Sequence, residues 1–378
     1  MTSFSRFDPD KTLASLRAQL RLLGERGRFR PEVYASAKLP SLGALAELPF
    51  TSSVDIIRHN KDMLCVSPRE VARVVTLSSS GTTGAAKRLY FTRGDLERTV
   101  AFFAEGMGVI CRAGDVCAIV MPDSSEMGLT SLLSEGLRCI GVEAAVVPPH
   151  GYGETAERLR ELKPDIIVGA PVFLRRLALE SVDIRPRAVL VSSDYCADSV
   201  VAALGRVWGS EVYTHYGLTE TGLGCAVQCR ERDGMHIRCD ELYVEIVDPA
   251  TGAPLPDGTA GEIVISTLRR EAMPLIRYRT GDIGVKGRCR CGAPALMKVL
   301  GRADELSRSP SLYELDELLL GCDGILDYSA SRGPDGLEVT VDGDAEAAAR
   351  LQPGARIISG EAAPPSGREK RRMTQRDG

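Results

Sequence analysis

Apolar residues recur at Leu13, Leu16, Leu20 and Leu23, the spacing of one helix face. That spacing predicts helices over residues 10 to 48, broken by Gly27, Pro31 and Pro40. From residue 71 the pattern changes to short apolar runs: VARVVTL (71–77), DVCAIVM (115–121), VEAAVVP (142–148), DIIVGAP (165–171), RAVLVSS (187–193) and EVYTHYG (211–217). Helices are predicted between them near 95–107, 127–139, 154–162, 172–180 and 196–207. Strands separated by helices of this length predict parallel βαβ sheet with both faces covered. Past residue 220 the runs alternate, and PATGAPLPDGTAG is turn chemistry throughout, which predicts antiparallel hairpins. After Gly301 a last stretch carries one helix near 312–320, then strands LEVTVDG and ARIISG, and ends in a basic tail. The expected fold class is α/β. A large N-terminal domain over 1–301 has parallel and mixed sheets covered by helices plus an antiparallel section, and a small α+β C-terminal domain covers 302–378.

Composition narrows this picture. The 378 residues are 44 % hydrophobic and 26 % charged, ordinary for a globular protein long enough to bury a core without staples. The net charge is −4, which argues against a nucleic-acid partner. No run of about 20 apolar residues is present, so no membrane span is expected. The first residues, MTSFSRFDPDKTLASLRAQLR, lack the apolar core of a signal peptide. The eleven cysteines are therefore expected to be reduced, and the protein to be cytoplasmic. The helices ahead of residue 50 are candidates to pack a homodimer.

Candidate chemistry begins at Leu77-Ser-Ser-Ser-Gly-Thr-Thr-Gly-Ala-Ala-Lys87, directly after a strand. Hydroxyls, glycines and successive backbone N–H groups make an anion-binding nest, and Lys87 adds a mobile positive charge. That set suits a polyphosphate, although the Walker spacing is absent. Composition alone also fits a flexible Ser/Gly surface loop, as the lesser alternative. Thr92 and Asp95 form a capping-box-like helix start.

Three further motifs follow: Tyr216-Gly217-Leu218-Thr219-Glu220, Tyr278-Arg279-Thr280-Gly281-Asp282 and Gly301-Arg302-Ala303-Asp304. Taken singly, Asp282 reads as a turn residue, Arg302 as a solvated charge and Glu220 as a helix N-terminal carboxylate. In this order, with the Ser/Thr/Gly loop, they resemble the signatures of the adenylate-forming superfamily of acyl-CoA ligases and adenylation domains. The stretch from Glu271 to Arg279, the DGMHI segment and the late CRCG look most like its phenylacetate–CoA ligase branch.

The resemblance implies ATP- and Mg²⁺-dependent activation of an aromatic carboxylate to an acyl-adenylate. Transfer to a thiol, coenzyme A or a carrier protein, would follow. It implies that Ser79, Ser80, Gly81, Thr82, Thr83, Gly84 and Lys87 hold the ATP phosphates. Thr219 would bond the α-phosphate, and Glu220 would help hold Mg²⁺. Tyr216 would flank the adenine, Asp282 and Arg302 would approach the ribose, and Asp304 would be the hinge of a mobile C-terminal domain. Gly217 would border the acyl pocket.

Cys229, His236, Cys289 and Cys291 form a Cys₃His set suited to structural Zn²⁺. Composition also fits four unrelated reduced residues; similarity to the phenylacetate–CoA ligase branch favours the metal.

The chain departs from the family in three places. Arg368 stands where relatives carry a catalytic lysine, with Lys370 two residues on. The stretch after the hinge is short, which weakens the case for thioester formation with coenzyme A. The motif beside the adenine reads Ser192-Ser193-Asp194-Tyr195, so Asp194 and Tyr195 are its candidate contacts. The first two departures also fit a second expectation: a non-catalytic or weakly catalytic nucleotide- and aryl-acid-binding protein derived from such a ligase.

Overall fold

The computed structural model describes residues 5–77, 86–122, 126–307, 309–361 and 373–375. The chain begins with helices α1 (Pro9–Arg26), α2 (Pro31–Ser36) and α3 (Ser53–His59). Strands β1 (Val71–Leu77) and β2 (Lys87–Thr92) lead into α4 (Arg93–Ile110). An alternating series follows: β3 (Val116–Val120), α5 (Leu129–Cys139), β4 (Glu143–Val146), α6 (Tyr152–Leu162), β5 (Ile166–Gly169), α7 (Pro171–Glu180), β6 (Ala188–Val191), α8 (Asp198–Trp208) and β7 (Glu211–Tyr216). Then come β8 (Ala226–Gln228), β9 (Met235–Ile237), β10 (Leu242–Val247), β11 (Ala260–Thr267), β12 (Tyr278–Arg288) and β13 (Pro294–Arg302). The last stretch holds α9 (Ala303–Leu306), α10 (Leu312–Leu319), β14 (Ile325–Gly333), β15 (Gly336–Gly343), α11 (Ala345–Leu351), β16 (Arg356–Ser359) and β17 (Thr374–Gln375). No helix among the described residues is long and apolar enough to cross a membrane.

The chain divides into two compact units. The first comprises Met1–Ile110, Glu126–Gly136 and Tyr216–Val299, the second Cys111–Ser125, Leu137–His215 and Leu300–Gly378. The stretch expected as a separate C-terminal domain thus joins the second unit, whose last segment opens at Leu300.

In the first unit, β1 and β2 form a two-stranded antiparallel ribbon with Leu77 opposite Lys87. VARVVTL therefore lies outside the parallel series that its apolar run suggested. Strand pairing is decided by partners far along the chain, and a short apolar run does not specify them. The hairpin region forms an antiparallel sheet in the order β10-β11-β12-β13-β9-β8. Helix α1 lies against α2 and β11 with Leu16, Leu20 and Leu23 buried. Its Gln19 side chain bonds both backbone groups of Arg270, donating to the carbonyl at 3.0 Å and accepting from the amide at 3.1 Å. The expected capping pair forms at the start of α4. The Thr92 amide donates to Asp95 at 3.0 Å, and the Asp95 amide to the Thr92 hydroxyl at 3.1 Å.

The second unit contains the parallel series, in the order β7-β6-β5-β3-β4. Its central strands β5 and β6 are buried at every position, as a sheet covered by helices on both faces requires. A four-stranded sheet, β16-β15-β14-β17, follows α10. The sequence patterns had not revealed β14 or α11: ILDYSASRG lacks clean alternation, and AEAAARL has too few large apolar residues to mark a face. One apolar core runs through this unit. It joins Val120, Leu174, Leu177, Val200 and Leu204 to Leu315, Leu319, Ile325, Tyr328 and Val339.

Candidate active site

Lys87 opens β2, and Glu220 lies 133 residues on, in a single 3₁₀ turn over Thr219–Thr221. The turn closes on Gly222, whose φ of +71° is costly for any other residue. A Cβ there would also stand 2.9 Å from the Arg270 guanidinium. This geometry aims the Glu220 carboxylate inward, 5 % exposed.

Glu220 Oε1 meets the Lys87 ammonium and accepts from the Tyr278 hydroxyl at 2.7 Å. Lys87 Nζ also lies 3.4 Å from that hydroxyl. Burial alone would raise the Glu220 carboxyl. The Lys87 charge and the two hydrogen bonds outweigh it and hold the group below its usual value. The site therefore keeps an ionised carboxylate beside a cation at neutral pH, and a carboxylate oxygen is the hard ligand that Mg²⁺ prefers.

A second pair lies in the same unit. The Tyr216 hydroxyl donates to Asp282 Oδ2 at 2.8 Å, with the two residues 7 % and 2 % exposed. Burial and the Asp282 charge push the Tyr216 phenol well above its usual value. Gly281, at φ +75°, lets β12 present Asp282 on this side. Thr219 and Gly217, on either side of Leu218, are partly exposed.

Residues expected at the nucleotide also occur in the second unit. Asp194 folds back to accept from the Tyr195 amide at 2.9 Å. Arg302 Nε lies 3.9 Å from Asp304 Oδ1. Ser192 Oγ is 2.9 Å from His215 Nδ1. Ser79, Ser80, Gly81, Thr82, Thr83 and Gly84 lie outside the described residues, as do Arg368 and Lys370.

Tyr278 had no assigned role in the sequence reading. It is the first residue of the Tyr278-to-Asp282 motif, and that motif was the available signal. Its place beside the Lys87–Glu220 pair depends on the pairing of β11 with β12, where Tyr278 stands opposite Ile265.

The cysteine–histidine set also converges. Strand β9 pairs with β8 on one side and β13 on the other, with His236 opposite Ala295. The turn after β12 is thereby carried to the turn after β8. Cys229 and Cys289 sulfurs lie 3.8 Å apart, and Cys291 Sγ lies 3.1 Å from His236 Nε2. All four candidate ligand atoms fall within 4.8 Å of one another. A tetrahedron built on Zn–S bonds of about 2.3 Å has edges of about 3.8 Å, so the donor set fits zinc in type and size.

Comparison with known proteins sets this geometry in a family. A model described as AMP-binding enzyme matches residues 34–268. A phenylacetate-coenzyme A ligase of Aromatoleum evansii is 33 % identical over 292 residues, 71 % of this chain and 63 % of that protein. Its counterpart in Escherichia coli K12 is 30 % identical over 283 residues, 70 % of this chain and 63 % of that protein. The matches thus span under two thirds of these relatives' length. Among solved structures, 2-hydroxyisobutyryl-CoA ligase in its postadenylation state superposes with a TM-score of 0.82 at 19 % identity, covering 97 % of this chain and 89 % of that one. A benzoate CoA ligase from Burkholderia xenovorans LB400 gives 0.56 at 16 % identity, covering 75 % and 65 %. These structures share the fold, and with the family model matching well over half its length, the chain belongs to the AMP-binding enzyme family.

Proposed function

We propose that this protein activates a carboxylate with ATP and passes the acyl group to a thiol. The substrate carboxylate attacks the α-phosphorus, its oxygen forms the new P–O bond, and pyrophosphate leaves with the bonding electrons. The thiol sulfur then attacks the acyl carbon and AMP departs. The observation that carries this reading is the buried, ionised Glu220 held between Lys87 and Tyr278. No nucleophile from the protein is needed, so catalysis rests on positioning and on charge placed against the phosphates. Glu220 would hold Mg²⁺, which neutralises phosphate charge when bound. Lys87 would meet the phosphates, and Asp282 with Tyr216 would fix the ribose and adenine side. The similarity to phenylacetate-coenzyme A ligases favours an aromatic acid as substrate and coenzyme A as acceptor. In the same reading, Cys229, His236, Cys289 and Cys291 hold a structural zinc.

Carboxylate-dependent ATP–pyrophosphate exchange tests this reading with a panel of aryl and aryl-acetic acids. Exchange is expected with one acid class and should fall by about 100-fold or more in Glu220→Ala and Lys87→Ala. The Arg368→Ala variant reports whether the replaced lysine position contributes. Absence of exchange with every acid, in a protein that still binds ATP, overturns the ligase and favours the binding protein.

A further inference from the structure

Helix α10 presents consecutive acids, Asp316 and Glu317, to the segment between β6 and α8. Asp316 is 2 % exposed, and both of its carboxylate oxygens are engaged. Oδ2 accepts from the Tyr195 hydroxyl at 2.5 Å, and Oδ1 from the Tyr328 hydroxyl at 2.7 Å. Glu317 accepts from the backbone amides of Asp198 and Ser199 at 2.6 and 2.9 Å. Those amides open α8, whose own N-cap residue, Ala197, has no side chain to satisfy them. The Ser199 hydroxyl adds a bond to the Asp316 carbonyl at 3.0 Å.

The segment so gripped is strained. Ser193 has φ +77°, in the left-handed region that a serine enters at a cost. Such a conformation persists only where its surroundings over-determine it. Ser192 is tied to His215 at one end of the loop, and α10 holds the other. The Tyr195 ring also lies over the backbone of Gly301, where an added Cβ would stand 3.6 Å from it, and its centroid is 6.1 Å from that of Tyr313. A tyrosine placed only for packing would not need its hydroxyl on a buried carboxylate.

We propose that Asp316 is a positioning residue for the nucleotide: through the Tyr195 hydroxyl it fixes the loop 192–195 that receives the adenine. This rests on the reading of that loop as part of an ATP site. Tyr195 serves as the strut and Asp194 remains the loop's polar group for the base. Asp316 itself touches no substrate. The two-oxygen arrangement supplies an internal control, because Tyr328 draws on the same carboxylate from the core side.

The test uses the full chain with Asp316→Asn, Tyr195→Phe, their double variant and Tyr328→Phe. Two readouts are taken: hydrogen exchange of the amides over 192–197, and KM for ATP and for the acid with kcat in pyrophosphate exchange. Asp316→Asn and Tyr195→Phe should each speed loop exchange about tenfold and raise the ATP KM about three- to tenfold, with the double variant no worse than either single one. In Asp316→Asn the acid KM and kcat should stay within about twofold. Tyr328→Phe should lower thermal stability and leave the ATP KM unchanged. Unaltered loop exchange and ATP KM in the first two variants overturn the proposal, as does an equal rise in ATP KM in Tyr328→Phe. If the parent binds no ATP while Asp316→Asn still loosens the loop, the nucleotide reading fails and only a structural contact is left. Normal ATP use with an unmoved loop instead fails Asp316 alone.

Discussion

His215 and Glu220 are five residues apart, and their surroundings move their titrations for different reasons. At Glu220 a cation and two hydrogen bonds overcome burial, and the carboxylate is kept charged. At His215 only burial acts, and it lowers the pKa from 6.5 to about 4, so the folded protein keeps the ring neutral. Above pH 6.5 both folded and unfolded chains carry a neutral ring, and the residue adds no pH dependence. As pH falls from 6.5 to about 4 the unfolded chain takes up a proton that the folded one refuses, so stability declines across that window. A full shift of this size corresponds to roughly 3.5 kcal/mol at about 1.4 kcal/mol per unit, reduced here because the residue keeps some solvent exposure. Urea midpoints at pH 7 and pH 5 should therefore differ clearly in the parent and much less in His215→Asn. An equal decline in both would show that other groups drive it. The motif residues themselves were legible because their types and order are distinctive. The direction of the His215 shift was not, since one letter carries no information on how thoroughly a ring is enclosed.

Among the elements, the short strand β9 carries the most consequence for its length. By pairing with β8 and β13 it brings together cysteines 60 residues apart, a sulfur–sulfur approach of 3.8 Å. The zinc proposed there would cross-link the turns after β8 and β12 and contribute folding free energy directly. The purified protein should contain about one zinc per chain by elemental analysis. Chelation, or Cys291→Ser, should remove the metal and lower the melting temperature by several degrees. A metal-free protein with unchanged melting behaviour would sink the assignment. Residue types suggest the set, but C-x-C spacing alone equally fits four unrelated residues, three thiols and an imidazole. The β9 register, with His236 opposite Ala295, is what gathers the four side chains.

At the scale of the molecule, the C-terminal segment belongs to the second unit. Residues after Leu300 share a core with α7 and α8, and Arg175, fully buried in α7, binds them as well. Its guanidinium donates to the carbonyls of Cys322, Ile325 and Leu326 at 2.9 to 3.0 Å. Burial lowers the Arg175 pKa to about 10, which still leaves it charged at neutral pH. Arg175→Met would remove the side-chain donor from all three carbonyls; that of Cys322 keeps the Ile325 amide at 3.1 Å, and each carbonyl left unsatisfied and buried costs about 1–3 kcal/mol. Loss of at least about 2 kcal/mol is expected, with hydrogen-exchange protection falling together over 137–215 and 300–361. Loosening of 300–361 alone would show instead that the segment is an independent body.

The sequence by itself determined the local elements and the chemistry available to them. Local pattern marked α1, α4 to α8 and α10, short apolar runs marked the parallel strands, and the four ordered motifs pointed to the nucleotide chemistry of the family. Each of these signals lies within a few residues, where spacing and residue type are sufficient. Tertiary structure decided what depends on distant partners. It placed VARVVTL in an antiparallel ribbon, set Glu220 between Lys87 and Tyr278, brought the cysteines to His236, and joined the final segment to the core around Arg175. The physical reason is the same in each case. Burial, ionisation and hydrogen bonding are fixed by neighbours tens to hundreds of residues away, and a linear pattern does not name them.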